Sequence, residues 1–271
     1  MVNMKKRSGF PKSILVVILV LGFLFTAGIV FKGLYMSDGE NMRAASCISP
    51  QLPRLKPNAA HENKKASEHM IDAPFIDQTE YYPTGCEAVS TVMALQYLGI
   101  DIDVDDFIDN YLNLGQAPYY TNNNIIGDSP HECFLGSPYD RTGWGCYSTV
   151  IERALNKFID KESYSVKRLS GKSLENLCEE YINNDIPVIL WATIGMKQAY
   201  TTSTWITTSD ESYTWIAPEH CLLLVGYDKD YYYFNDPLQG KQTKYKKSDV
   251  KTAYKSLGQQ AVVIYKNEYN A

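Results

Sequence analysis

The sequence predicts an α+β domain, with helices first and a largely antiparallel sheet after them, preceded by one transmembrane helix. Three observations carry this. Helical patterns come first, in separate stretches between position 86 and about 183, and short unbroken apolar runs follow from position 186 onward. Aromatic residues are 13% of the 271, with 21 tyrosines, which excludes a disordered chain. An uncharged run, Ile14 to Phe31, follows a basic N-terminus.

Taken in order, residues 1–13 carry Lys5, Lys6, Arg7 and Lys12 and no acid, which predicts a cytoplasmic N-terminus with the rest of the chain outside. Residues 14–36 are the expected anchor or signal segment. The apolar run is longer than the ~7–15 residues of a signal peptide, and Phe25-Thr26-Ala27 is a poor cleavage site, which favours a single-pass anchor in the cell membrane. Cleavage there would instead release a secreted protein. Residues 37–70 have almost no apolar periodicity and read as a flexible linker. Residues 71–271 are long enough to bury one core.

Within that domain, Cys86 to Tyr97 is a helix stopped by Gly99, with Val89, Val92 and Met93 recurring at helical spacing. A second helix is expected over 101–114, with Asp103 or Asp105 near its start. Residues 115–145 are rich in Gly, Pro, Asn and Tyr and read as a long loop of the kind that lines a cleft. Helices follow over 147–159 and 173–183. Ile186 to Ala192 is a buried strand, and 194–216 reads as a Thr/Ser-rich connection. His220 to Tyr227 and Tyr231 to Asp236 flank Asp228-Lys229-Asp230 as a hairpin, and Gln260 to Tyr265 is a last strand.

The formal net charge is −5 and no Lys/Arg-rich face is apparent, so nucleic acid is not an expected partner. Six cysteines follow no regular framework. Cys133 and Cys146 are candidates for pairing outside the cell; Cys178 and Cys221 read as small core residues. His131, Cys133 and Cys146 lack the paired CxxC spacing of a zinc site, and the acids from Asp103 to Asp109 lack the glycine and closing Glu of a calcium loop. No metal or cofactor is called for.

The chemistry points to a thiol. Cys86 stands where a turn-rich loop becomes a helix, and a helix N-terminus carries free N–H groups and partial positive charge that favour a thiolate. The thiol is therefore expected to titrate below its ordinary value. Gln78, eight positions before it, has the type of side chain that donates to an oxyanion. His220 opens an apolar strand, and Asp236 ends the next one. A three-residue turn would set Leu222 opposite Asp236 and His220 diagonal to it, ~7–8 Å apart along the backbone. A two-residue turn would place them on opposite faces.

These residues resemble a known family. Gln78, Tyr82 to Glu87, Phe134 to Pro138, Gly143-Trp144-Gly145, Ile186 to Val188, Trp191-Ala192, His220 to Tyr227 and Asn235-Asp236-Pro237 are similar to the stand-alone branch of the double-glycine, bacteriocin-processing type of cysteine peptidases, family thirty-nine of that class. The resemblance spans about residues 71–266. It implies a papain-like fold, with Cys86 as nucleophile, His220 as base, Asp236 as its orienting acid and Gln78 in the oxyanion hole. It also implies a peptide or protein substrate. Two other readings stay open: a non-catalytic papain-like module that binds peptides or proteins, and an acyl transferase or amidase acting on cell-wall peptides.

Overall fold

The computed structural model describes residues 66–270. The expected membrane segment at 14–36, and nearly all of the 37–70 linker, lie outside the described residues. Among the described residues no helix is long and apolar enough to cross a membrane.

Strand β1 (His69–Met70) leads through an extended segment to helices α1 (Cys86–Tyr97) and α2 (Val104–Tyr111). Four short strands follow: β2 (Leu114–Gly115), β3 (Tyr119–Tyr120), β4 (Ile125–Gly127) and β5 (Phe134–Leu135). Helix α3 (Ser148–Phe158), strand β6 (Tyr164–Ser170) and helix α4 (Leu174–Glu180) come before β7 (Val188–Thr193). The remainder is β8 (Tyr200–Thr207), β9 (Ser212–Ala217), β10 (Glu219–Tyr227), β11 (Tyr231–Asp236), β12 (Gly240–Lys246), α5 (Lys247–Ser256) and β13 (Gln260–Lys266).

The main sheet runs in the order β12–β11–β10–β7–β13–β6, and every pairing in it is antiparallel. β10 is its central strand. It pairs with β7 over Glu219–Leu224 and with β1 at Gly226 and Tyr227, and every residue of it is buried. Helix α1 packs on β10 and β7, and Ser90 Oγ donates to the Cys221 carbonyl at 3.1 Å. Residues 86–95 of α1 are all buried, so it carries Ala, Val, Met and Leu on every side rather than along one stripe. Helix α2 starts where its acids predict: Asp103 accepts from the Asp106 N–H at 2.7 Å.

Two readings of the sequence need correction. Residues 194–216 are not a connection. They hold the β8–β9 hairpin, part of a second, four-stranded sheet with β3 and β4. The stretch 115–145 is not an unbroken loop either, since β3 and β4 join that sheet and β5 pairs with β2. Trp144, Trp205, Trp215, Tyr147 and Tyr213 bind the two stretches together, with Tyr147 stacked on Trp215 at 5.7 Å between centroids. Aromatic contacts between distant segments hold these strands, and β2 to β5, at two or three residues each, were too short to declare themselves locally. Strands β6 and β12 and helix α5 are further elements beyond those expected. Cys133 and Cys146 are free thiols.

The hairpin register has an unexpected origin. The Asp228 N–H donates to the Tyr231 carbonyl at 3.0 Å, so the tip is the two residues Lys229 and Asp230, and Tyr227 opposes Tyr232. That tip alone would put His220 and Asp236 on opposite faces. A bulge between Leu224 and Gly226 inserts Val225 and shifts the pairing by one, giving Leu224 opposite Phe234 and Leu223 opposite Asn235. Leu222 thereby falls opposite Asp236, the placement that a three-residue turn would have produced.

Candidate active site

Cys86 is the first residue of α1, after Gly85. A Cβ at Gly85 would lie 3.0 Å from Tyr82 Cβ and 3.2 Å from Pro138 Cβ, so the turn before the helix has little room for a side chain. The Gly85 carbonyl accepts the first helical bond, from the Val89 N–H at 2.9 Å.

Gln78 is buried, and its backbone N–H donates to the Pro237 carbonyl at 3.1 Å. This bond ties the segment before α1 to the residue after Asp236. The side-chain Nε2 donates to the Tyr82 carbonyl at 3.1 Å, and Oε1 has no partner among the described residues. An amide nitrogen carries two hydrogens, so one donor remains for another acceptor.

The structure brings His220 and Asp236 together. His220 Nε2 lies 2.8 Å from Asp236 Oδ1, and both side chains are buried. Oδ1 also accepts from the Leu238 N–H at 2.9 Å, and Oδ2 from the Tyr245 hydroxyl at 2.6 Å. Burial pushes the Asp236 carboxyl up, but the His220 hydrogen bond and charge, with Tyr245 and Leu238, more than offset it and hold the group below its ordinary range. An ionised carboxylate only accepts, so the Nε2 proton faces it and Nδ1 carries the lone pair of the neutral ring. Asn235 secures this corner: Nδ2 donates to the carbonyls of Ala73 at 3.1 Å and Pro74 at 2.8 Å.

The thiol is placed differently from expectation. Cys86 Sγ donates to Glu87 Oε2 at 3.2 Å rather than to the imidazole. Burial pushes the thiol well above its ordinary value, and the charges of Glu87 and Glu219 add to this. The expected lowering by the helix N-terminus is therefore overridden here. Glu87 Oε1 accepts from the Cys146 N–H at 2.5 Å, while Glu219 Oε1 has no partner among the described residues. One donor atom from each of Cys86, Glu87 and Glu219 lies within 4.8 Å of the others. Burial raises both carboxyls.

Gly145 closes this cluster. Its φ is +125°, and a Cβ there would stand 2.6 Å from Glu87 Oε1 and 2.8 Å from Glu219 Oε2. A Cβ at Gly143 would lie 2.3 Å from the Ser137 carbonyl oxygen and from Thr84 Oγ1. Trp191 Nε1 donates to the Cys146 carbonyl at 2.8 Å and holds the segment from below.

Sequence reasoning passed over Glu87, Glu219 and Tyr245. The two acids had a signal, since Glu87 lies in the first turn of a largely apolar helix and Glu219 stands just before an apolar run, where a charge is costly to bury. Tyr245 had none: it reaches Asp236 only because β12 pairs with β11.

The peptidase C39-like family matches residues 70–262. The uncharacterized protein YvpB of Bacillus subtilis strain 168 is 29% identical over 258 residues, covering 90% of this chain and 96% of that protein. A crystal structure of a candidate C39-like peptidase from Bacillus anthracis is similar at a TM-score of 0.65 and 25% identity, covering 74% of this chain and 99% of that one.

Proposed function

Because the chain belongs to the peptidase C39-like family, we propose that it is a cysteine peptidase of papain-like fold that hydrolyses peptide bonds outside the cytoplasm, held at the membrane by residues 14–36. The observation that carries this reading is the buried His220–Asp236 hydrogen bond at 2.8 Å, on the strand against which the Cys86 helix packs. A structural histidine needs no ionised, fully buried partner with a tyrosine on its other oxygen.

The proposed reaction begins when Cys86 Sγ leaves Glu87 for the imidazole. The S–H proton passes to His220 Nδ1, and the thiolate attacks the substrate carbonyl carbon. The oxyanion is met by the second Gln78 Nε2 hydrogen and the Cys86 N–H. Asp236 holds the ring in the tautomer that frees Nδ1 and stabilises the imidazolium. The proton then goes to the leaving amine, and water hydrolyses the acyl-enzyme. The test is labelling of the full chain with an electrophilic thiol probe at pH 6, with mass mapping. Labelling at Cys86 that is lost in His220→Ala supports the reading; labelling there that is indifferent to His220→Ala overturns it. Adding an amine nucleophile during turnover of a peptide substrate separates hydrolysis from acyl transfer.

A second reading is favoured by one observation, the thiol's bond to Glu87 rather than His220. It is a module that binds peptides or proteins without turnover. Tight peptide binding together with an inert Cys86 would select it.

A further inference from the structure

Beside the Cys86 thiol, two carboxyl groups are buried without compensating charge. Glu87 comes from the first turn of α1 and Glu219 from β10. The groups that face them are Cys86 from α1, Cys221 from β10, Cys146 and Tyr147 from the segment after Gly145, and Tyr213 from β9. None of these carries positive charge. Among the described residues neither carboxyl has an ion-pair partner. Two carboxylates within 4.8 Å of each other, both out of water, repel strongly. Sharing a site in this way drives one group to hold its proton.

We infer that Glu87 and Glu219 share one proton and act as positioning residues for Cys86, their remaining negative charge holding the nucleophile as a thiol at rest. The geometry supports each part. Glu87 uses Oε1 on the Cys146 N–H and presents Oε2 to the thiol, which makes it the ionised partner. Glu219 has an oxygen with no donor, which suits the protonated partner. Gly145 excludes any side chain that would separate the two. When the thiol gives its proton to His220, the S–H bond breaks, Nδ1 gains the proton, and the acid pair keeps its own. The new thiolate then stands beside a carboxylate, so its formation is opposed until the sulfur turns away or the pair takes a second proton. The inference rests on the peptidase reading for the identity of the nucleophile.

The test is the pH profile of Cys86 alkylation by iodoacetamide in the full chain, followed by mass mapping for wild type, Glu87→Gln and Glu219→Gln. Gln keeps the shape and the acceptor for Cys146 while removing the charge. Glu87→Gln should move the midpoint down by about one pH unit or more and raise the rate at pH 7 roughly tenfold. Glu219→Gln, at the partner that is already neutral, should leave the midpoint near its wild-type value. An unchanged profile or an upward shift in Glu87→Gln overturns the inference. If either variant does not fold, the wild-type chain with ¹³C-labelled glutamate carboxyls gives the answer. Two coupled titrations above the ordinary carboxylate range support the shared proton; independent titrations within that range overturn it. About one equivalent of transition metal in the purified chain also overturns it, since a cation would then hold the pair. The peptidase reading fails separately, on a Cys86 whose labelling is indifferent to His220→Ala.

Discussion

The two faces of strand β10 are one residue apart in sequence and opposite in electrostatic design. On one, His220 meets Asp236, whose oxygens are taken up by His220, Tyr245 and Leu238. On the other, Glu219 meets Glu87 beside the Cys86 thiol, and an oxygen is left without a donor. Strand alternation makes the separation unavoidable, because neighbouring residues point to opposite faces. The comparison teaches that burial alone does not set a group's ionisation. With His220 and further donors on both oxygens, Asp236 is pulled below its ordinary range despite burial; Glu87 and Glu219, buried beside each other with no positive charge facing them, are pushed above theirs.

The sharpest way to break this comparison is to remove the thiol itself. Cys86→Ala should reduce peptide hydrolysis on the order of 1,000-fold or more, read as kcat/KM on a peptide substrate. Full activity in that variant would dismiss the catalytic reading of both faces. Next in size is Asp236→Asn, expected to cost about 100-fold or more in kcat, because the amide tolerates the wrong imidazole tautomer. A similar loss, on the order of 100-fold and falling on kcat rather than KM, is expected for Gln78→Ala. Tyr245→Phe removes one hydrogen bond to Asp236 and should cost about 1 kcal/mol of stability by denaturant unfolding, with only a small change in turnover.

The gentlest test sharpens the contrast through pH. Asp236 has a lowered folded pKa, so its contribution to stability is present above the ordinary value near ~3.9 and is lost as pH falls through the folded value. Glu87 and Glu219 have raised folded values, so stability is greatest below the ordinary ~4.3 and declines as pH rises toward those values. Thermal unfolding should therefore lose stability on both sides of a mildly acidic optimum. Glu219→Gln should flatten the alkaline side alone, and Asp236→Asn the acid side alone. Loss of both slopes in either variant would mean that the two faces are one coupled network.

Much of the helical half was legible because its signals are local. Asp103 caps α2, Gly99 ends the α1 segment, and Val150, Ile151, Ala154 and Leu155 mark the buried face of α3. Helix α5 had the same kind of signal in Val250, Ala253, Tyr254 and Leu257, but its dense lysines hid it. The β8–β9 hairpin was obscured because threonines and serines alternate there with few apolar residues, and its own Trp205 and Trp215 find their partner in Trp144 of a distant segment.

By itself, the sequence determined which residue types were available to the site: a cysteine at a helix start, a glutamine eight positions earlier, and a histidine and an aspartate on neighbouring strands. Those features are local, written in spacing and turn chemistry. Only the tertiary structure decided that His220 reaches Asp236, because the two-residue tip alone would separate them and the Val225 bulge restores the face. It alone decided that the thiol rests on Glu87, and that Glu219 arrives beside it from another strand. The physical reason is that a one-residue change of register reverses every side chain on a strand. The choice of register is made by the partners each strand finds across the sheet, and no stretch of sequence contains those partners together.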